Sequence, residues 1–263
     1  MRKRVITSIV LGVSVIAAIL YAPLWTFLVA VAIAVSLYEF FYMVEKKGVR
    51  LFKAVALCAG ILIPVTIHFR FPVLEGIQFI SVVVALFLFF LLELTKRETH
   101  QPILSISATV FAILYISWCL SFLVRIRLLP EGALLCGFLI LVTKSSDVGA
   151  YLWGKKYGKA PLLKRVSPQK SLEGSIGGFF TSIAAGTLFS LLITSIGFWE
   201  KFFLIIILAV ISQLGDLFES LLKRDCQVKD SGKIVPGMGG ALDVVDSIIF
   251  TAPTFYLYVT MIQ

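Results

Sequence analysis

Histidine is nearly missing from this chain: only His68 and His100 occur among 263 residues, far apart in sequence. A metal centre built on histidine therefore has little to work with. Cysteine is scarce as well. Cys58, Cys119, Cys136 and Cys226 are scattered, three of them in apolar runs, and no C-x-x-C spacing occurs. That excludes a disulfide framework and a zinc site, and fits small core residues in a reduced setting. Charge is the third shortage: 15% of residues are charged against 59% hydrophobic, which is not the composition of a soluble domain. Neither an internal repeat nor a low-complexity tract is present.

Apolar runs long enough to cross a hydrocarbon core of about 30 Å recur along the whole length. Nine are expected: Val5–Tyr21, Leu24–Val44, Leu51–His68, Leu74–Thr95, Ile103–Val124, Gly132–Ser146, Gly174–Gly197, Phe202–Leu222 and Ser247–Ile262. The fold class is thus all-α, a polytopic integral membrane bundle of about nine helices. Residues 1–130 form an N-terminal set of helices, and 131–263 a C-terminal half with polar loops at 147–173 and 223–246. The start, Met1-Arg2-Lys3-Arg4 before an apolar run, has the look of a signal peptide. A second apolar run follows almost at once, which favours a retained first helix.

The formal charge of +9 raises nucleic acid as a partner, but the bases sit at the ends of apolar runs and track a topology instead. With the N-terminus inside, 20 of the 24 Lys and Arg are cytoplasmic, leaving Arg70, Arg125, Arg127 and Lys201 outside. Both polar loops then face the cytoplasm, where the bases meet anionic head groups and phosphorylated substrates. A bacterial-type inner membrane suits this plan.

The stretch from Ser212 to Ser247 organises the rest. It holds Asp216, Glu219, Asp225, Asp230, Asp243 and Asp246, interleaved with Lys223, Arg224, Lys229 and Lys233. A mere connector between two helices would not need six carboxylates. Acids beside bases suit a divalent cation with phosphate oxygens, since each requires the opposite charge. On a continuing helix, Asp216, Ser220 and Lys223 share one face at i, i+4 and i+7. Pro236-Gly237 and Gly239-Gly240 break the chain and let backbone N–H groups approach an anion. The plainer alternatives are a solvated helix start for Asp243 and Asp246, an i, i+4 pair of Glu219 with Lys223, and positive-inside flanks for Arg224 and Lys233. Glu39, inside the second run, should face the bundle interior with an unknown partner. Glu93 reaches the interface beside Lys96 and Arg97. Gly177, Gly178 and Gly186 suit close helix packing.

These motifs resemble the phosphatidate cytidylyltransferases, whose signature S-x-x-K-R-x-x-x-x-K-D then P-G-H-G-G-x-x-D-R-x-D stands here as Ser220…Lys223-Arg224…Lys229-Asp230 and Pro236-Gly237-Met238-Gly239-Gly240…Asp243-Val244…Asp246. The upstream Ser167–Gly174 and Asp147–Lys159 segments are similar to the family's SPKKTxEG and D-x-x-AYxxGxxxGK runs. The likeness covers the C-terminal half well and the N-terminal half only in its hydrophobic plan. Met238 stands for the family histidine and Val244 for its arginine, so neither of those roles carries over.

The resemblance implies attack of phosphatidic acid on the α-phosphorus of CTP, giving CDP-diacylglycerol and pyrophosphate. It implies Asp216, Asp243 and Asp246 as Mg²⁺ ligands, with room for a second, monovalent ion. Lys223, Lys229, Asp230 and Ser220 would be catalytic; Asp147, Lys170, Glu173, Arg224, Gly237, Gly239 and Gly240 would bind substrate. The partners are CTP, phosphatidic acid and membrane lipids, and a homodimer is compatible with this. Two rivals remain: a CTP-dependent polyprenol or dolichol kinase, which would release CDP instead of pyrophosphate, and a secondary transporter. The transporter would hold its charges within the spans, whereas most here cluster in the loops.

Overall fold

The computed structural model describes residues 2–69, 84, 86–92 and 101–262, with side chains from residue 6 onward. Most of the expected span Leu74–Thr95 lies outside the described residues, as do Arg70, Glu93, Lys96, Arg97 and His100. The chain divides into two units, one of residues 1–125 with 230–242, the other of residues 126–229 with 243–263.

In the first unit, α1 (Arg2–Leu20) turns at Tyr21 into α2 (Ala22–Glu45), whose first turn takes a proline that needs no N–H donor there. Then come α3 (Lys53–His68) and α4 (Pro102–Arg127), the latter interrupted by a π-helical stretch at Ile113–Trp118. Two polar contacts tie these helices together. Trp25 Nε1 donates to the Leu123 carbonyl at 3.0 Å, and Thr26 Oγ1 lies 2.9 Å from His68 Nδ1. One of the two histidines is thus a core partner. The apolar interior includes Ile33, Leu37, Phe41 and Ile116. Segment 230–242 packs with these helices and turns sharply at Gly237 and Gly239, whose φ of 81° and 99° disfavour any side chain.

The second unit contains α5 (Gly132–Tyr157), the antiparallel strands β1 (Pro161–Leu163) and β2 (Ser167–Ser171), then α6 (Leu172–Ser190), α7 (Phe198–Asp225) and α8 (Ala241–Ile262). Helix α5 runs 11 residues past its expected end at Ser146. Nothing between 147 and 157 breaks it until Gly158, and Lys155 and Lys156 suit the negative end of its dipole. Part of the expected loop 147–173 is therefore helix, and part is a hairpin. Ser171 caps α6 by accepting from Gly174 N at 3.1 Å. Along α5 and α6 glycines allow near-contact of backbones: a Cβ on Gly178 would lie 2.6 Å from the Ser146 carbonyl oxygen. Lys201 is buried and donates to the carbonyls of Ser190 and Ile193, at 2.9 and 2.8 Å, just where α6 ends.

Five described helices, α2, α4, α5, α7 and α8, are long and apolar enough to cross a membrane. This is an all-α polytopic membrane protein, with one small hairpin among the described residues. The expected total of nine is not reached by that measure among the described residues. The apolar parts of α1 and α3 are shorter, and α6 is diluted by Glu173 and by seven glycines and serines in 19 residues.

Candidate active site

The charged residues of the second unit gather where α5, α7 and α8 offer polar faces. Helix α7 contributes Asp216, Glu219, Ser220 and Lys223, whose spacing keeps them on one face. Helix α8 contributes Asp243 and Asp246 from its first turns, α5 contributes Lys144 and Asp147, and β2 brings Lys170.

Carboxylate oxygens of Asp216, Glu219 and Asp246 all lie within 4.8 Å of one another. Glu219 is fully buried and Asp246 is 6% exposed. Expected metal ligand Asp243 is not part of this trio. It accepts a hydrogen bond from Lys223 Nζ at 2.6 Å, and the same ammonium lies 2.5 Å from Glu219 Oε2. Glu219 Oε2 is thus ion-paired with Lys223, and Oε1 accepts no hydrogen bond from the described residues. Lys223 supplies one cation to Glu219, but three carboxylates gathered this closely, one of them fully buried, favour a further cation between them.

Lysines surround the trio. Lys170 Nζ sits 2.6 Å from Asp216 Oδ1 and 3.4 Å from Ser220 Oγ. Lys144 Nζ donates to Asp147 Oδ2 at 2.9 Å, to Ser247 Oγ at 2.9 Å and to the Val244 carbonyl at 2.7 Å. Ser247 Oγ also donates to Asp147 at 3.1 Å, and the Ser247 N–H donates to Asp246 Oδ1 at 2.5 Å. Asp147, Asp216, Glu219, Asp243 and Asp246 thus face Lys144, Lys170 and Lys223, five carboxyl groups against three ammonium groups, an oxygen-rich set that suits a divalent cation. Behind them Gln213 bridges α7 to Ser175 of α6 and Ser146 of α5, donating to the Ser175 carbonyl at 2.9 Å and to Ser146 Oγ at 3.3 Å.

Other expected site residues stand elsewhere. Glu173 accepts from the N–H groups of Lys159 and Ala160, at 3.0 and 3.3 Å, and so fastens the turn after α5. Those donors hold its carboxyl below the usual range. Exposed Arg224 donates to the carbonyls of Val166 and Val228 at 3.2 and 3.4 Å, while Lys229 and Asp230 are exposed. Gly237, Gly239 and Gly240 belong to the first unit. There the Met238 and Gly239 N–H groups both donate to the Val235 carbonyl, at 3.1 and 3.2 Å, so the turn consumes the Gly239 donor that was expected to face an anion. Sequence reasoning missed Lys144, counted only as a cytoplasmic flank, and Ser247. The available signal was a lysine inside an apolar helix, three residues before an aspartate.

An apolar groove of about 590 Å³ runs along α7 and α8, lined by Leu214, Leu217, Phe218, Leu221, Phe250 and Pro253 among others. Leu214 and Leu221 are about half exposed there.

Apolar helices long enough to cross a membrane thus carry a largely buried carboxylate trio among lysines, an arrangement able to hold a cation beside an anion. The cytidylyltransferase family model matches residues 2–262, and the chain belongs to that family. It is 30% identical to a phosphatidate cytidylyltransferase of Bacillus subtilis over 99% of this chain and 98% of that one. A phosphatidate cytidylyltransferase of Synechocystis sp. is also 30% identical, over 98% of this chain and 96% of its own length. The uncharacterized protein YnbB of Escherichia coli is 40% identical over 151 residues, 57% of this chain and 50% of that protein. Lys144 bears on one departure from the family pattern: its ammonium reaches the backbone of Val244, the residue that stands for the family arginine. The other, Met238, accepts a hydrogen bond at Sδ from Ser8 Oγ at 3.7 Å within the first unit.

Proposed function

We propose that this protein transfers the cytidylyl group of CTP to phosphatidic acid in phospholipid biosynthesis. A phosphate oxygen of phosphatidic acid forms a bond to the α-phosphorus of CTP. The bond from that phosphorus to the bridging oxygen breaks, and pyrophosphate leaves with its electron pair. The products are CDP-diacylglycerol and pyrophosphate. The nucleophile is already ionised near neutral pH, so the site needs alignment and charge neutralisation more than a base.

The carboxylate trio carries this reading. Asp216, Glu219 and Asp246 would hold Mg²⁺, with Asp243 kept nearby by Lys223. Once bound, the ion would neutralise triphosphate oxygens and stabilise the charge that develops on the leaving group. Lys170 and Lys223, now resting on carboxylates, are placed to turn to phosphate oxygens, with Ser220 beside Lys170 as a hydroxyl partner. Lys144 keeps Asp147 and the Ser247 turn in place. Phosphatidic acid would lay its acyl chains in the groove of α7 and α8, helices that also carry the acids, so its phosphate stays at the membrane surface. The lysine distribution supports a cytoplasmic site, in a bacterial-type inner membrane crossed about nine times.

Purified protein supplied with α-labelled CTP, phosphatidic acid and Mg²⁺ should convert label to CDP-diacylglycerol with one pyrophosphate released per lipid. Release of CDP with a phosphorylated lipid alcohol would instead identify a kinase.

A further inference from the structure

Glu39 is a carboxylate within the apolar helix α2, 2% exposed. Its Oε2 accepts from Ser231 Oγ at 3.1 Å and from the Leu242 N–H at 3.0 Å. Leu242 is the second residue of α8, and N–H groups in a first helical turn have no partner within the helix. Gly240, just before that helix, has no side chain with which to cap it. The capping oxygen comes instead from α2, and negative charge is favoured at this end of a helix.

The backbone closes tightly around the carboxylate. A Cβ on Gly232 would lie 2.1 Å from Glu39 Oε1, and one on Gly240 would lie 2.3 Å from Oε2. Oε1 itself accepts no hydrogen bond from the described residues. Asp243 is the next residue after Leu242, and Asp246 follows three later. The atom that holds Leu242 thereby sets the first turn, from which Asp243 projects, and Asp246 follows in the next turn.

We infer that Glu39 is a positioning residue for cytidylyl transfer, acting as a hydrogen-bond acceptor from α2 that fixes the first turn of α8. The effect on turnover rests on the proposed function, whereas the capping does not. Glutamine keeps a carbonyl oxygen for both donors and places its amide where Oε1 now lies unpaired. Alanine removes the acceptor.

Full-length purified Glu39→Gln should keep kcat within about 3-fold of the parent, because the accepted bonds survive. Glu39→Ala should lose roughly 10-fold or more in kcat and need several times more Mg²⁺ for half-maximal rate, the scale seen when support of metal ligands is removed. Hydrogen exchange over residues 231–243 should quicken in the alanine variant and stay parental in the glutamine variant. Alanine with parental kcat, Mg²⁺ dependence and exchange would overturn the inference, and so would glutamine as impaired as alanine. Should Glu39→Ala not fold, Gly232→Ala puts a methyl group against Oε1 and must show the same losses; parental behaviour there overturns it too. If the parent makes no CDP-diacylglycerol, the functional reading fails separately and exchange alone decides: equal rates in parent and alanine variant refute the cap.

Discussion

Exchanging Lys144 for methionine keeps most of the side-chain length and removes the charge. In the parent, Nζ serves Asp147, Ser247 and the Val244 carbonyl at 2.7–2.9 Å, tying α5 to the first turns of α8. Charge-assisted bonds of this kind contribute about 1.5–3 kcal/mol each when well buried. The side chains of Lys144 and Asp147 are 33% and 31% exposed, so solvent screens part of that. The Ser247–Asp147 hydrogen bond also survives the change. Counting three bonds at about half strength gives a loss of roughly 2–4 kcal/mol. For a chain of this size that corresponds to a fall in melting temperature of about 5–15 °C. Turnover should drop roughly 10-fold or more, because Asp147 loses its cation and Ser247, next to Asp246, loses a tether. Thermal unfolding of detergent-solubilised protein, with labelled-CTP turnover on the same sample, reads both effects. A variant melting within about 2 °C of the parent and turning over at its rate would show that this ammonium ties nothing together.

Asp246→Asn should leave the melting temperature nearly unchanged or higher, since it relieves crowding among carboxylates, while CDP-diacylglycerol formation falls by roughly 100-fold or more. Retained activity would remove Asp246 from the site. Gly178→Ala should cost about 1–3 kcal/mol, because the new methyl group meets the Ser146 carbonyl, a backbone atom with little room to yield; unchanged thermal stability would mean that α5 and α6 separate freely. Glu131 accepts from Thr194 Oγ1 at 2.5 Å and from the Thr194 and Ser195 N–H groups at 3.1 Å. Hydrogen bonds from Thr194 and Ser195 hold its carboxyl down to about 2. A carboxyl lowered on folding contributes stability above its unfolded value, near 4.3, and that stability fades as pH falls towards about 2. Glu131→Gln should therefore flatten melting temperature against pH across that window without touching turnover near neutrality; an unaltered profile would refute the assignment.

The helices were legible because apolar runs over membrane-crossing lengths leave little alternative to helix. Their ends were not. Polarity suggested that α5 stops at Ser146, but polar residues do not break a helix, and α5 continues through Gly149 and Gly154 to Tyr157. The β1–β2 hairpin escaped notice because its strands are three and five residues long and carry no alternating pattern. At the site, Asp216 and Asp246 were recognisable as acids in or beside apolar spans. Which third acid joins them depends on tertiary packing. Lys223 stands within reach of both Glu219 and Asp243, and spacing along one helix cannot rank the two. Glu39 could be marked as costly where it lies, yet its partners are about 190 and 200 residues away. No local pattern joins such distant positions.

Binding of a divalent cation at the carboxylate trio is tested most directly by titrating purified protein with Mn²⁺ in the presence of CTP, counting bound ions by electron paramagnetic resonance. The parent should bind Mn²⁺ in a CTP-dependent manner, with affinity lowered roughly 10-fold or more in both Asp216→Asn and Glu219→Gln. Equal Mn²⁺ affinity in the parent and both variants would contradict the account.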